Sequence, residues 1–221
     1  MIELRQLASQ VHERLLDFYG QPTWRNPLPA LDELVSTILS QNTNDTNRDR
    51  AFGALKAHFS SWEAVRDAPA ADLIAAIRVA GLANQKGPRI QNVLAEITRE
   101  RNSLELGFLA ELPLEKARTW LLGFKGVGPK TAAIVLLFSL GRPAFPVDTH
   151  IFRVTGRVGL LPEKMTVAAA HPFLEKLFPP ETYYSAHLNI IHLGREICKA
   201  RRPECQLCPL LGICKYFDKN I

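Results

Sequence analysis

Leu122-Gly123-Phe124-Lys125-Gly126-Val127-Gly128-Pro129-Lys130-Thr131 lies between two helical patterns and decides the fold. Upstream, Leu114 to Leu122 carries apolar residues at helical spacing. Downstream, Ala132-Ala133-Ile134-Val135-Leu136-Leu137-Phe138 is apolar on nearly every side. Gly126 and Gly128 can take backbone angles closed to other residues, which predicts a tight turn between two helices. Pro129 suits the first position of the second helix. A turn of this kind leaves backbone N–H groups unpaired at a helix N-terminus, a place suited to a phosphate. An isolated Gly-x-Gly is an ordinary helix connection. The apolar helix behind this one, with Lys130 in its first turn, makes it a candidate site.

Helical spacing extends outward in both directions. Leu4, Leu7, Val11, Leu15 and Phe18 recur at intervals of three and four, predicting an amphipathic first helix that ends near Gly20. Leu31, Leu34, Val35, Ile38 and Leu39 repeat the pattern after Pro27 and Pro29. Further helices are predicted over 48–59, 70–79, 87–99, 114–122, 129–140, 149–158, 167–177 and 182–200. No run alternates with period two between hairpin turns, so the fold class is all-α. Breaks fall at Gly20 to Pro29 and at Gly141-Arg142-Pro143-Ala144-Phe145-Pro146. They predict one domain over 22–142 and a second, discontinuous domain over 1–21 and 143–221 that holds the cysteines.

Composition fits that outline. The 221 residues are 47% hydrophobic and 22% charged, as a globular chain is and a disordered one is not. Met1 to Leu15 carries charges throughout, unlike a secretory signal. Ala132 to Leu140 is too short to span a bilayer. A soluble protein of the cytoplasm, with no membrane partner, is expected. The net charge of +5 leans toward a polyanionic partner.

All four cysteines, Cys198, Cys205, Cys208 and Cys214, fall near the C-terminus with six, two and five residues between them. In a reducing compartment that is ligand placement rather than two disulfides. Zinc ribbons usually pair two short Cys motifs, whereas here only Cys205-x-x-Cys208 is short. The spacing therefore leans toward an iron–sulfur cluster, with zinc as the alternative. Lys199, Arg201 and Arg202, between the first two thiols, read either as a phosphate clamp or as a solvated basic turn. None of the six histidines forms a metal pair of the H-E-x-x-H kind. His187 and His192 read as structural, and Trp24, Trp62 and Trp120 as packing residues.

Lys130 and Asp148 each allow two readings. The partial positive charge of a helix N-terminus disfavours an ammonium and favours the neutral amine that a nucleophile needs. The plain alternative is a lysine that snorkels to water. Asp148 follows a proline loop and opens a helix, a good N-cap flanked by Val147 and Phe152 as a hydrophobic staple. A capped carboxylate is also well placed to stabilise positive charge that develops beside it.

Together these stretches resemble the endonuclease III family of DNA glycosylases, in the helix-hairpin-helix superfamily. The resemblance rests on Gly126-Val127-Gly128-Pro129-Lys130-Thr131-Ala132, on Pro146-Val147-Asp148-Thr149-His150-Ile151-Phe152-Arg153-Val154, and on the cysteine spacing. It implies a six-helix barrel domain with the hairpin plus a helical iron–sulfur domain, the active site lying in the cleft between them. Lys130 would be the nucleophile and Asp148 the catalytic carboxylate, with a [4Fe-4S] cluster on the four cysteines. The substrate would be double-stranded DNA with a damaged base or abasic site, bound by a monomer. The damaged nucleotide would be rotated out of the stack. Gln41, in Ser40-Gln41-Asn42-Thr43-Asn44, and Leu82, in Gly81-Leu82-Ala83-Asn84-Gln85-Lys86, match the family's inserting residues; their plain readings are a polar helix cap and a helix connection. Family members often carry a larger residue at Ala83, so a smaller plug beside the opposite base is expected. Gly126, Gly128 and His150 would also meet DNA. Lys130 argues against the adenine mismatch branch. A thymine or uracil mismatch enzyme, a non-catalytic DNA-binding module and a redox-sensing cluster protein are the other readings.

Overall fold

The computed structural model describes residues 1–23 and 26–218; Trp24, expected as a packing residue, lies outside the described residues. Among the described residues there are helices and turns and no β-strand. The chain divides into two compact units, Met1–Asn26 with Pro143–Ile221, and Pro27–Arg142.

The helices of the discontinuous unit are α1 (Ile2–Tyr19) and, after residue 143, α9 (Thr149–Val158), α10 (Val167–Glu175), α11 (Tyr183–Glu196) and α12 (Lys215–Asp218). The inserted unit holds α2 (Ala30–Ser40), α3 (Asp45–His58), α4 (Trp62–Asp67), α5 (Ala70–Ala76), α6 (Ala83–Arg101), α7 (Leu114–Leu122) and α8 (Pro129–Ile134). Residues Ala30 to Leu39 of α2 are all buried, and α2 packs on α3, α6 and α8, so it runs through the middle of its unit. Among its buried polar members, Asp32 accepts from Trp62 Nε1 at 2.7 Å and from Lys56 Nζ at 3.3 Å. Trp62 and Trp120 do pack as expected, Trp120 edge-on against Phe108 and Phe124.

Side-chain caps set the starts of two helices of the inserted unit. Asn44 accepts from Asn47 N–H to open α3, and Ser61 from Ala64 N–H to open α4. The helix α4 has only six residues, too few turns to show a period, and the sequence reading missed it. Beyond α8 the chain continues as a π-helical turn, Val135–Ser139, so the expected helix over 129–140 widens halfway.

In the discontinuous unit, α9 (Thr149–Val158) and α1 both pack on α11 (Tyr183–Glu196), with α10 (Val167–Glu175) between them in sequence. Ala8, Val11 and Leu15 are the buried stripe of α1. Asn189 of α11 donates to Gly20 O at 3.1 Å and Leu15 O at 3.4 Å, tying down the end of α1. A short helix, α12 (Lys215–Asp218), packs on α9.

Candidate functional site

In the inserted unit three segments converge on the start of α6. The hairpin comes first. Gly126 has φ 92°, a left-handed conformation, and a Cβ there would overlap the Arg89 side chain, so glycine is required twice over. Gly128 corrects the sequence reading. Its φ of −97° and ψ of 178° are extended backbone open to any residue, and a Cβ would meet nothing within 4 Å. The open side of Gly128 is space beside the hairpin rather than a conformational need. Pro129 takes the first position of α8, and Lys130, next to it, is half-buried.

The second segment is the Gln41 turn. Asn42 has φ 53°, and Gln41 is half-buried. The Gln41 amide is held at both ends: Nε2 donates to Gly126 O at 3.2 Å, and Oε1 accepts a short bond from Arg89 Nη1. The cap role weighed for this turn belongs to Asn44.

The third is the turn at Gly81–Leu82. Leu82 has φ 50° and is 46% exposed. A non-glycine residue in the left-handed region is costly, and an apolar one held there in water gains nothing by folding. Such a residue points to function. Ala83 behind it is the first residue of α6 and is buried.

In the discontinuous unit, Asp148 Oδ1 accepts from Ile151 N–H at 2.7 Å, capping α9. The segment leading to it is fastened three times. Phe145 N–H donates to Glu175 Oε1 at 2.9 Å, His171 Nδ1 lies 3.1 Å from Phe145 O, and His187 Nδ1 lies 3.0 Å from Pro146 O. A carbonyl only accepts, so both histidines carry their proton on Nδ1. His187 is structural, as expected. His171 and Glu175 had no sequence signal, because their partners are backbone groups remote in the chain. His150 packs against Gly194, and its Nδ1 lies 3.1 Å from Arg153 Nη2.

The cysteines follow α11. Arg153 donates to Cys198 O at 3.0 Å and to Gly194 O at 2.7 Å. Arg157 donates to Lys199 O at 2.7 Å, to Ala200 O at 3.0 Å and toward Cys198 Sγ at 3.4 Å, its guanidinium lying over Tyr216. Thus α9 carries Asp148 at one end and braces the cysteine loop along its length. Cys198, Cys205, Cys208 and Cys214 all line one recess with about 320 Å³ of unfilled space, part of it open to solvent. The donor set is sulfur alone, which suits an iron–sulfur cluster. Among the described residues no three His, Cys, Asp or Glu side chains are grouped as around a single ion. Burial, with the neighbouring Cys198, Cys214 and Cys205, pushes the Cys208 thiol up to about 11, so ligation there must displace a proton. Lys199 is ion-paired with Glu204, while Arg201 and Arg202 are exposed.

Residues 35–180 match the model of the HhH-GPD superfamily base excision DNA repair protein, and residues 198–214 that of the iron-sulfur binding domain of endonuclease III. A candidate DNA glycosylase of Arabidopsis thaliana is 37% identical over 83% of this chain and 66% of its own, so the chain spans about two-thirds of that relative. The endonuclease III of Sulfolobus acidocaldarius is 36% identical over 85% of this chain and 82% of its own. A trapped endonuclease III–DNA covalent intermediate superposes with a TM-score of 0.83 at 28% identity, covering 99% of each chain. The cofactor is a [4Fe-4S] cluster. No helix of the described residues is long and apolar enough to cross a membrane.

Proposed function

We propose that this chain, which belongs to the endonuclease III family of the HhH-GPD superfamily of base excision DNA repair proteins, is a bifunctional glycosylase and abasic-site lyase acting on oxidised pyrimidines in duplex DNA. The observation that carries the reading is Lys130, in the first turn of a buried helix directly behind the Gly126 hairpin. Lys130 Nζ attacks the sugar C1′, the glycosidic bond breaks, and the base leaves with the bonding electrons and takes up a proton. The C1′ adduct loses a nitrogen proton, the C1′–O4′ bond breaks as C1′=N forms, and O4′ takes up a proton, leaving the open-chain sugar as a Schiff base. Loss of a C2′ proton then expels the 3′ phosphate, nicking the strand, and hydrolysis of the imine returns the free lysine. Asp148, its carboxylate held by the Ile151 N–H, supplies negative charge to the oxocarbenium-like sugar and helps take the proton from the attacking amine.

The remaining residues bind and orient. Hairpin N–H groups and the open side of Gly128 admit a phosphate, and Arg201 and Arg202 hold others. His150, engaged with Arg153, stiffens the start of α9 and faces the backbone of the strand. Gln41 and Leu82 fill the gap left by the extruded nucleotide. Cys198, Cys205, Cys208 and Cys214 hold the cluster, whose contribution is a rigid loop rather than electrons. A single chain suffices for one extruded base.

Borohydride trapping on a duplex with one abasic site tests the reading. A covalent adduct with the wild-type protein and none with Lys130→Gln is the expected result. No adduct from folded, cluster-loaded wild-type protein would leave a monofunctional glycosylase and end the lyase proposal.

A further inference from the structure

Lys86 is among the largest fully buried side chains of the described residues, 1% exposed. Its Nζ donates to Leu39 O at 2.7 Å and to Ala80 O at 2.8 Å, and no carboxylate pairs with it in these bonds. Burying an ammonium is costly, and an apolar side chain of similar volume would fill the space without that cost. What the lysine adds is geometry. Leu39 lies two residues before Gln41, and Ala80 two residues before Leu82. One ammonium therefore fixes the spacing between the roots of two turns whose tips, Asn42 and Leu82, are both left-handed. Conformations of that kind persist only where their surroundings hold them.

Arg89 lies one helical turn further along α6. It donates to the Gln41 side chain, and its stem lies against Gly126, whose carbonyl accepts from Gln41 Nε2 at 3.2 Å. The two cations are close enough that, after burial itself, Arg89 is what lowers the Lys86 ammonium below its ordinary value. Three segments far apart in sequence are thus gathered by two side chains of a single helix start.

We propose that Lys86 and Arg89 are positioning residues for base extrusion, holding the Gln41 turn, the Leu82 turn and the hairpin at fixed spacing so that the duplex meets a preformed wedge. The inference rests on the reading of Gln41 and Leu82 as the residues that fill the gap. Preorganisation of this kind is read as preference for the extruded state, because ordering the turns no longer opposes binding.

The test uses the full, cluster-loaded chain and two duplexes, one undamaged and one with a tetrahydrofuran abasic analogue, with 2-aminopurine fluorescence beside the target reporting unstacking. Lys86→Met and Arg89→Ala are expected to lower the ratio of the two affinities about tenfold and to diminish the unstacking signal in proportion. A purely structural role would lower thermal stability and leave that ratio as it was. If Lys86→Met does not fold, Arg89→Ala decides. A folded Arg89→Ala that keeps the full preference, while Leu82→Ala loses it, overturns the proposal. If Leu82→Ala and Gln41→Ala keep it as well, the reading of the two turns is itself wrong and the proposal falls with it.

Discussion

Replacing Asp148 by Asn separates the two jobs assigned to one carboxylate. The cap bond is a 2.7 Å contact between Oδ1 and the Ile151 N–H, and an asparagine oxygen can take it over. Loss of the cap in Asp148→Ala costs about 1 kcal/mol. Loss of negative charge at the N-terminus of α9 costs a further ~0.5 kcal/mol in either variant. For a chain of this size 1 kcal/mol moves the melting point by about 3 °C. Asp148→Ala should therefore melt about 4.5 °C low and Asp148→Asn about 1.5 °C low. Removing one preorganised electrostatic stabiliser slows the chemical step by about 10²–10³-fold. Both variants should show that loss in single-turnover excision from a duplex bearing one oxidised pyrimidine. Wild-type excision by Asp148→Asn would refute the catalytic role. An Asn variant as unstable as the Ala variant would refute the account of the cap.

The basic turn gives a salt signature. Arg201→Ala and Arg202→Ala should each lower the slope of log binding constant against log salt by about 0.9, and Lys199→Ala by less, because Lys199 is already paired with Glu204. An unchanged slope in the double arginine variant would remove this turn from the interface. His12 supplies a pH dependence: burial lowers it below its ordinary 6.5, only partly offset by Glu13. The unfolded chain therefore takes the proton first, and stability falls as pH drops below 6.5. Denaturation curves on either side of that pH should show the fall in the wild-type protein and a shallower one in His12→Gln; identical slopes would show that His12 is not the cause.

Local signals were legible in the sequence and long-range ones were not. The turn at Gly126, the proline that starts α8 and the cap at Asp148 each depend on a few neighbouring residues, and each was readable. Gly128 misled because a glycine can mark bare space as well as a special backbone angle, and only the structure tells them apart. Lys86 was invisible for the opposite reason. A lysine near a helix start reads as solvent-facing, and its carbonyl partners lie 47 and 6 residues away. Arg89, His171 and Glu175 escaped likewise, since a bond to a group distant in the chain leaves no mark on local pattern. The family motifs point to the residues that meet the substrate; the struts behind them emerge only from packing.

The Asn189 side chain that ties down α1 lies 169 residues beyond Gly20. During synthesis that interval takes about 10–30 s. Through it α1 has left the ribosome with Ala8, Val11 and Leu15 uncovered, while the whole of the inserted unit is made and is free to fold. Chain order therefore imposes an assembly order, the centre first and the two ends last. Any stall or truncation ahead of α11 leaves the apolar stripe of α1 without the helix it packs on.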